Sequence, residues 1–163
     1  MILNPRKAIE EGWIKNYGEE CIQPNSIDVR LNKLFAIEGI LFLGVDKRDL
    51  PEWEEQIPDR NNFFFLAAGR AYQFECLERV EVPENVIMRL YMRSTLNRSG
   101  VFVGAGLWDT GFKSFVGSSF YPFCSALIEK GARIAQVVFI KASSAGFYRG
   151  QYGDSQTFSG KDT

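Results

Sequence analysis

The chain has 163 residues, 45% of them hydrophobic and 14% aromatic, enough apolar surface for an unaided core and too much for a disordered tail or a fibrous repeat. Nineteen basic residues against twenty acidic ones leave a net charge of −1, so neither nucleic acid nor a membrane is an expected partner, although a local basic pocket for a small anion is compatible with it. Histidine is absent, which removes the Ser-His-Asp triad, the Cys-His pair and imidazole metal ligation, and three scattered cysteines do not make the zinc signature of nucleobase deaminases.

The opening MIL leads directly into NPRKAIEE, and no run is long enough to span a bilayer. Asn4 before Pro5 is an N-cap followed by a first-turn residue, and RKAIEEGWI carries helical apolar spacing, which predicts one short N-terminal helix. From there the apolar period becomes two. SIDVRL (26–31), KLFAIEGILFL (33–43), YQFECLERVEV (72–82), VIMRLYM (86–92) and RIAQVVFI (133–140) are predicted strands. The segment 46–62, DKRDLPEWEEQIPDRNN, is polar and interrupted by proline, and reads as a surface excursion. Turns are signalled by VPENV (82–86), RSGV (98–101), DTGF (109–112) and EKGAR (129–133). This pattern predicts a mainly β barrel or sandwich in one domain over residues 1–163, with the Gly-, Ser- and Tyr-rich tail from Ala142 mobile unless a ligand or neighbour orders it. Cys21, Cys76 and Cys124 lack C-x-x-C spacing and read as buried thiols of a cytoplasmic protein.

Three polar clusters interrupt the apolar strands. RSTLNRSG (93–100) sets two arginines and three hydroxyls beside turn backbone, which suits a polyphosphate or, equally simply, a solvated turn. GVFVGAGLWDTGFKS (100–114) reads as a β-hairpin with a Gly-rich reversal and an apolar rim, where Gly104 and Gly106 allow a flat base close to the backbone. Asp109 then lies next to the ligand, or else merely makes an Asx turn before Gly111. In KGARIAQVVF (130–139), Arg133 and Gln136 must be aimed either at edge solvent or at a phosphate or a metal-bound water.

Together and in this order, IQPNSIDVRL (22–31), RSTLNRSGV (93–101), AGLWDTGFK (105–113), GARIAQVVF (131–139) and YRGQYGDSQ (148–156) resemble the dUTPase and dCTP deaminase superfamily. The N-terminal MIL…EEGWI and YQFECLERVEVPENV resemble its deaminase branch. The resemblance implies a distorted, jelly-roll-like β-barrel of the dUTPase type and a homotrimer with sites between subunits. It implies a deoxynucleotide ligand, dUTP or else dCTP or dTTP, with Mg²⁺ on the triphosphate. By position, it implies that Arg93, Ser94 and Thr95 meet phosphate oxygens, that Arg98 crosses to the neighbouring site, and that Gln136 holds phosphate or metal-bound water. Ala105, Gly106 and Leu107 would select the base through backbone groups, Phe112 would pack under the sugar, and Tyr148, Tyr152 and Gln156 belong to the tail motif. Asp28 matches the family's acid near the metal, acting through water, with a structural role in its strand as the other reading.

The resemblance also bears on the reaction. In deaminase relatives a glutamate ten residues beyond the aspartate activates the attacking water, and the matching position here is Ser119, whose hydroxyl has no useful basicity near neutral pH. The next acid, Glu129, is ten residues further on. Aspartate present and glutamate absent implies Mg²⁺-assisted hydrolysis of dUTP to dUMP and pyrophosphate, with Asp109 preparing water for the α-phosphorus. A dCTP deaminase or bifunctional enzyme, and a non-catalytic nucleotide sensor, are the alternatives. Gln151 stands where relatives carry lysine, Ser155 competes with Gln156 for the family's tail glutamine, and Gly117 predicts a bulge in its strand.

Overall fold

The computed structural model describes residues 1–150. The predicted N-terminal helix forms as α1 (Pro5–Glu10). The Asn4 side chain accepts from the Arg6 backbone N–H at 3.0 Å, and Pro5 occupies the first turn, where its missing N–H leaves nothing unsatisfied. Gly12, at φ +72°, ends the helix and turns Trp13 against Phe139, with ring centroids 5.7 Å apart.

After β1 (Ile14–Lys15) and a single 3₁₀ turn (Glu19–Cys21) comes β2 (Ile27–Glu38). The two strands expected at 26–31 and 33–43 are thus one strand, ending at Gly39 (φ +94°) rather than at residue 43. A register shift between Leu31 and Lys33 marks the place where β2 leaves one neighbour for another. The excursion at 46–62 is also more regular than its composition predicts. β3 (Phe42–Leu43) pairs with β4 (Arg48–Asp49), and β5 (Glu52–Gln56) lies antiparallel on β2. Backbone pairing with a long strand overrides a weakly strand-forming sequence here.

The rest of the chain is β6 (Phe63–Leu66), β7 (Tyr72–Glu81), β8 (Val86–Met92), α2 (Ser94–Arg98), β9 (Val101–Val103), β10 (Gly106–Trp108), β11 (Lys113–Pro122), β12 (Ala126–Glu129) and β13 (Arg133–Lys141). The large sheet runs β10-β8-β13-β2-β7-β11-β9, with β1 on β7 and β5 on β2, and curls into a half-barrel of the expected, mainly β type. The core buries Leu34, Phe74, Met88, Leu90 and Phe120, and the Phe74 and Phe120 rings meet at 4.6 Å. Each such side chain contributes about 1.5–3 kcal/mol on leaving water. The predicted bulge also forms, with a register shift between Phe115 and Gly117.

Three expectations are corrected. The segment 93–98 is a helical turn, α2, rather than an open turn. β9 and β10 do not form a hairpin: β9 pairs with β11 at one edge of the sheet, and β10 pairs with β8 at the other. The Gly104–Ala105 link therefore joins the two edges and draws the curl together. Gly104 lies so close to β11 that its N–H donates to the Ser119 carbonyl at 2.8 Å and its carbonyl accepts from Ser118 Oγ at 2.7 Å. Third, Cys21 and Cys76 are buried free thiols, as expected, but Cys124 is exposed.

Candidate functional site: two separate hollows

The polar clusters of the sequence open into two hollows. The first, about 340 Å³, is lined by Asp109, Gly106, Leu107 and Phe112, together with Trp53, Gln73, Trp108, Ser114, Gly117, Ser118 and Tyr148. Asp109 is exposed at its rim. The turn that carries it is closed by backbone groups: Phe112 N donates to the Asp109 carbonyl at 3.1 Å, and Gly111, at φ +86°, donates to the Val82 carbonyl at 2.8 Å. Thr110 anchors the turn from beneath, where its buried Oγ1 donates to the Val86 carbonyl at 2.8 Å and lies 2.6 Å from Ser144 Oγ. Among the described residues nothing hydrogen-bonds the Asp109 carboxylate. The Asx-turn alternative is therefore not what this carboxylate does. It stands exposed where this hollow meets a neighbouring groove lined by Thr110, Ser144 and Tyr148.

The walls of this hollow are aromatic. Phe112 stands edge-on to Trp108 (6.3 Å) and to Tyr148 (5.5 Å). The Trp108 ring closes on Gly106, where a Cβ would come within 2.7 Å of it. The start of the tail, expected to be mobile, returns here: Tyr148 N donates to the Thr110 carbonyl at 2.7 Å.

The second hollow, about 550 Å³, is lined by Gln23, Pro24, Asn25, Ser26, Asp28, Met92, Arg93, Ser94, Asn97 and Gln136. Gln136 on β13 is in register with Asp28 on β2 and with Tyr91 on β8, so Gln136 and Asp28 share one face. Gln136 Oε1 accepts from Ser26 Oγ at 2.8 Å. Asp28 is buried and its Oδ2 binds Arg93, with Arg133 Nη1 at 3.3 Å and Gln23 Nε2 at 3.4 Å. Burial pushes the Asp28 carboxyl above the ordinary aspartate range, and the two guanidiniums pull it back only in part. Arg93, Ser94 and Gln136 thus line one hollow, with Arg93 tied to Asp28, an arrangement chemically able to take an anion.

The two hollows share no lining residue. Of the residues predicted from sequence, Asp109, Gly106, Leu107, Phe112 and Tyr148 gather in one, and Arg93, Ser94, Gln136 and Asp28 in the other. Thr95 faces a third groove with Phe63, Glu129 and Arg133. Arg98 and Ala105 are exposed and line neither hollow. Tyr152 and Gln156, like Gln151 and Ser155, lie outside the described residues. Sequence reasoning missed Trp53, dismissed with its surface excursion, and Gln73, one polar position in an alternating strand. It also passed over Gln23, Ser26 and Asn97, although QPNS directly before a strand was a usable signal.

No cluster of three or more His, Cys, Asp or Glu residues that could hold a metal exists among the described residues. The one buried acid of the second hollow, Asp28, already faces two guanidiniums, which is a poor setting for a cation. The described residues therefore do not fit a protein-ligated Mg²⁺. Ser119 is buried and accepts from Gln73 Nε2 at 2.7 Å, and Asp109 is the only carboxylate among the described residues lining the first hollow.

A family model described as dCTP deaminase-like matches residues 4–142. The chain belongs to the dCTP deaminase-like family. Within that family it is 37% identical over 139 residues to a probable deoxyuridine 5′-triphosphate nucleotidohydrolase of Methanopyrus kandleri, a match covering 83% of this chain and 89% of the relative. A deoxyuridine 5′-triphosphate nucleotidohydrolase of Methanocaldococcus jannaschii is 31% identical over 145 residues, covering 87% and 93%. A dUMP-forming dCTP deaminase of Persephonella marina is 32% identical over 164 residues, covering 93% and 91%. The fold is also that of the 2′-deoxycytidine 5′-triphosphate deaminase of Agrobacterium tumefaciens, with a TM-score of 0.66 at 16% identity over 85% of this chain. The match covers 47% of that deaminase chain, so this family member spans about half its length. Among the described residues, no helix is long and apolar enough to cross a membrane.

Proposed function

We propose that the protein is a dUTP diphosphatase, which hydrolyses dUTP to dUMP and pyrophosphate. The observation that carries this reading is the unpartnered Asp109 carboxylate at the rim of an aromatic-walled hollow, with a serine at the position of the second acid. The dUTP nucleotidohydrolases among the relatives support the same substrate. Uracil enters the hollow against the backbone of Gly106 and Leu107, and Phe112 packs under the sugar. Asp109 accepts a proton from a water aligned with the α-phosphorus. The new P–O bond forms as the Pα–O–Pβ bond breaks, and charge gathers on the departing pyrophosphate.

Arg93, Ser94 and Gln136 stabilise that charge, and Asp28 serves as the positioning residue of Arg93. Any Mg²⁺ arrives on the triphosphate as its counter-ion, and no protein ligand for it is assigned. The site in this reading is completed between copies in a homotrimer, which is supported by the base-side and phosphate-side hollows having no lining residue in common. Thr95 and Arg98, both exposed on α2, act towards the neighbouring site, and Tyr148 stands beside the nucleotide. The three cysteines, free rather than paired, agree with a cytoplasmic setting.

One assay tests this. Purified protein is given dUTP or dCTP with Mg²⁺, and pyrophosphate and ammonia are measured separately. Pyrophosphate from dUTP without ammonia from dCTP is expected. Rapid ammonia release from dCTP would overturn the assignment in favour of the dUMP-forming deaminase represented among the relatives.

A further inference from the structure

We infer that Thr110 is the positioning residue of Asp109, and that it sets the carboxylate only while residues 142–148 are fastened to it. The inference rests on the dUTP reading above. Thr110 is 2% exposed and follows Asp109 directly in the turn. Its hydroxyl carries a single proton, and that proton goes to the Val86 carbonyl at 2.8 Å. At the 2.6 Å contact with Ser144, Thr110 Oγ1 must therefore accept and Ser144 Oγ donate. The Thr110 carbonyl accepts as well, from Tyr148 N at 2.7 Å. One residue thus joins the start of β8 beneath it to both ends of the run 144–148 beside it. The same run meets the turn again at Phe147, whose ring lies against Gly111, where a Cβ would come within 2.7 Å of it. Ala142 N donates to the Asn85 carbonyl at 2.8 Å, which ties the start of the segment to the β7–β8 turn.

Asp109 has no ties of its own, since among the described residues its carboxylate makes no hydrogen bond. Its place at the junction of hollow and groove is inherited from the peptide that leads into Thr110. Residues 142–148 line that groove, so a shift of the segment moves the wall beside the carboxylate. A general base must stand within hydrogen-bond reach of its water, and a displacement of about 1 Å can cost about a hundredfold in rate. The two hydrogen bonds and the ring contact are each weak alone. Gathered on two adjacent residues they support one another, so that losing the Thr110 hydroxyl loosens the turn and the segment together.

The test uses the full chain. Hydrogen exchange read by mass spectrometry follows residues 142–148, and pyrophosphate release from dUTP is measured beside calorimetric binding of its non-hydrolysable α,β-imido analogue. Thr110→Val keeps the shape and removes the hydroxyl. It is expected to speed exchange in 142–148 about tenfold and to lower kcat roughly ten- to hundredfold, with analogue affinity within about threefold of wild type. Thr110→Ser packs less well than valine but keeps the hydroxyl, so it should recover most of both losses, which a role in packing alone would not allow. Ser144→Ala leaves the bond to Val86 intact and serves if the valine variant folds poorly. It should move exchange and kcat in the same direction by smaller factors. In an Asp109→Asn background, Thr110→Val should lower the residual rate no further, because no base is left to position. Folded Thr110→Val and Ser144→Ala proteins with wild-type exchange or wild-type kcat would overturn the inference, and so would an undiminished loss in the Asp109→Asn background. A wild type that binds the analogue tightly yet releases no pyrophosphate refutes the hydrolase reading instead, and the exchange rates then judge the Thr110 contacts by themselves.

Discussion

Asp109→Asn separates chemistry from architecture in this molecule. The amide is isosteric, and the carboxylate it replaces makes no hydrogen bond among the described residues. The turn depends on the backbone of Phe112 and Gly111 and on Thr110 Oγ1, none of which the substitution touches. The stability change should therefore stay within about 0.5 kcal/mol, or roughly 2 °C in Tm for a chain of this size. An amide cannot take a proton from water. Loss of a general base costs about 10²–10⁴ in kcat, or roughly 3–5 kcal/mol in the barrier. The assay is pyrophosphate release from dUTP under saturating substrate, with binding of the imido analogue and thermal melting measured on the same samples. The expected result is a collapse of kcat with Tm and affinity nearly intact. If Asp109→Asn turned over dUTP within about tenfold of wild type, Asp109 would not be the base and the proton would have to go elsewhere. If Tm fell by many degrees, the carboxylate would be structural after all.

Three other substitutions bear on what holds the site. Glu78 is fully buried, its Oε1 accepting from Arg30 Nε at 2.7 Å and its Oε2 from Arg30 N at 2.8 Å, so Glu78→Ala should cost about 3–5 kcal/mol in denaturant unfolding. At Gly106 an added Cβ falls 2.7 Å from the Trp108 ring, so Gly106→Ala should cost about 1–3 kcal/mol and weaken the imido-dUTP analogue in calorimetry. The Lys15 hydrogen bond, with Arg79 and Lys113 nearby, holds the Glu81 carboxyl below its ordinary range. A depressed carboxyl stabilises the fold above its unfolded pKa and loses that contribution as pH falls through the folded value, so Glu81→Gln should melt slightly lower than wild type at neutral pH and level with it in acid.

Much of this protein was legible as local chemistry. The Asn4-Pro5 pair announced α1, period-two alternation announced β7, β8 and β13, and the glycines at 111 and 131 marked turns whose φ angles of +86° and +90° few other residues adopt. The site was legible only in part. Asp109 and Arg93 stand in recognisable motifs, but Gln73 carries no local sign, because a glutamine on a strand looks alike whether it faces solvent or a ligand.

The amino-acid order by itself determined the type of most elements, their turns, and the residue kinds able to do chemistry, since propensity, capping and periodicity act over a few neighbouring residues. Only the tertiary structure decided that β9 and β10, consecutive in the chain, sit at opposite edges of the sheet. It alone divided the candidate residues between two hollows, tied Asp28 to Arg93, and set Gln73 against Ser119. Strand partners are chosen by register and burial across dozens of residues, and an apolar period of two says which face is inward without saying which strand lies alongside.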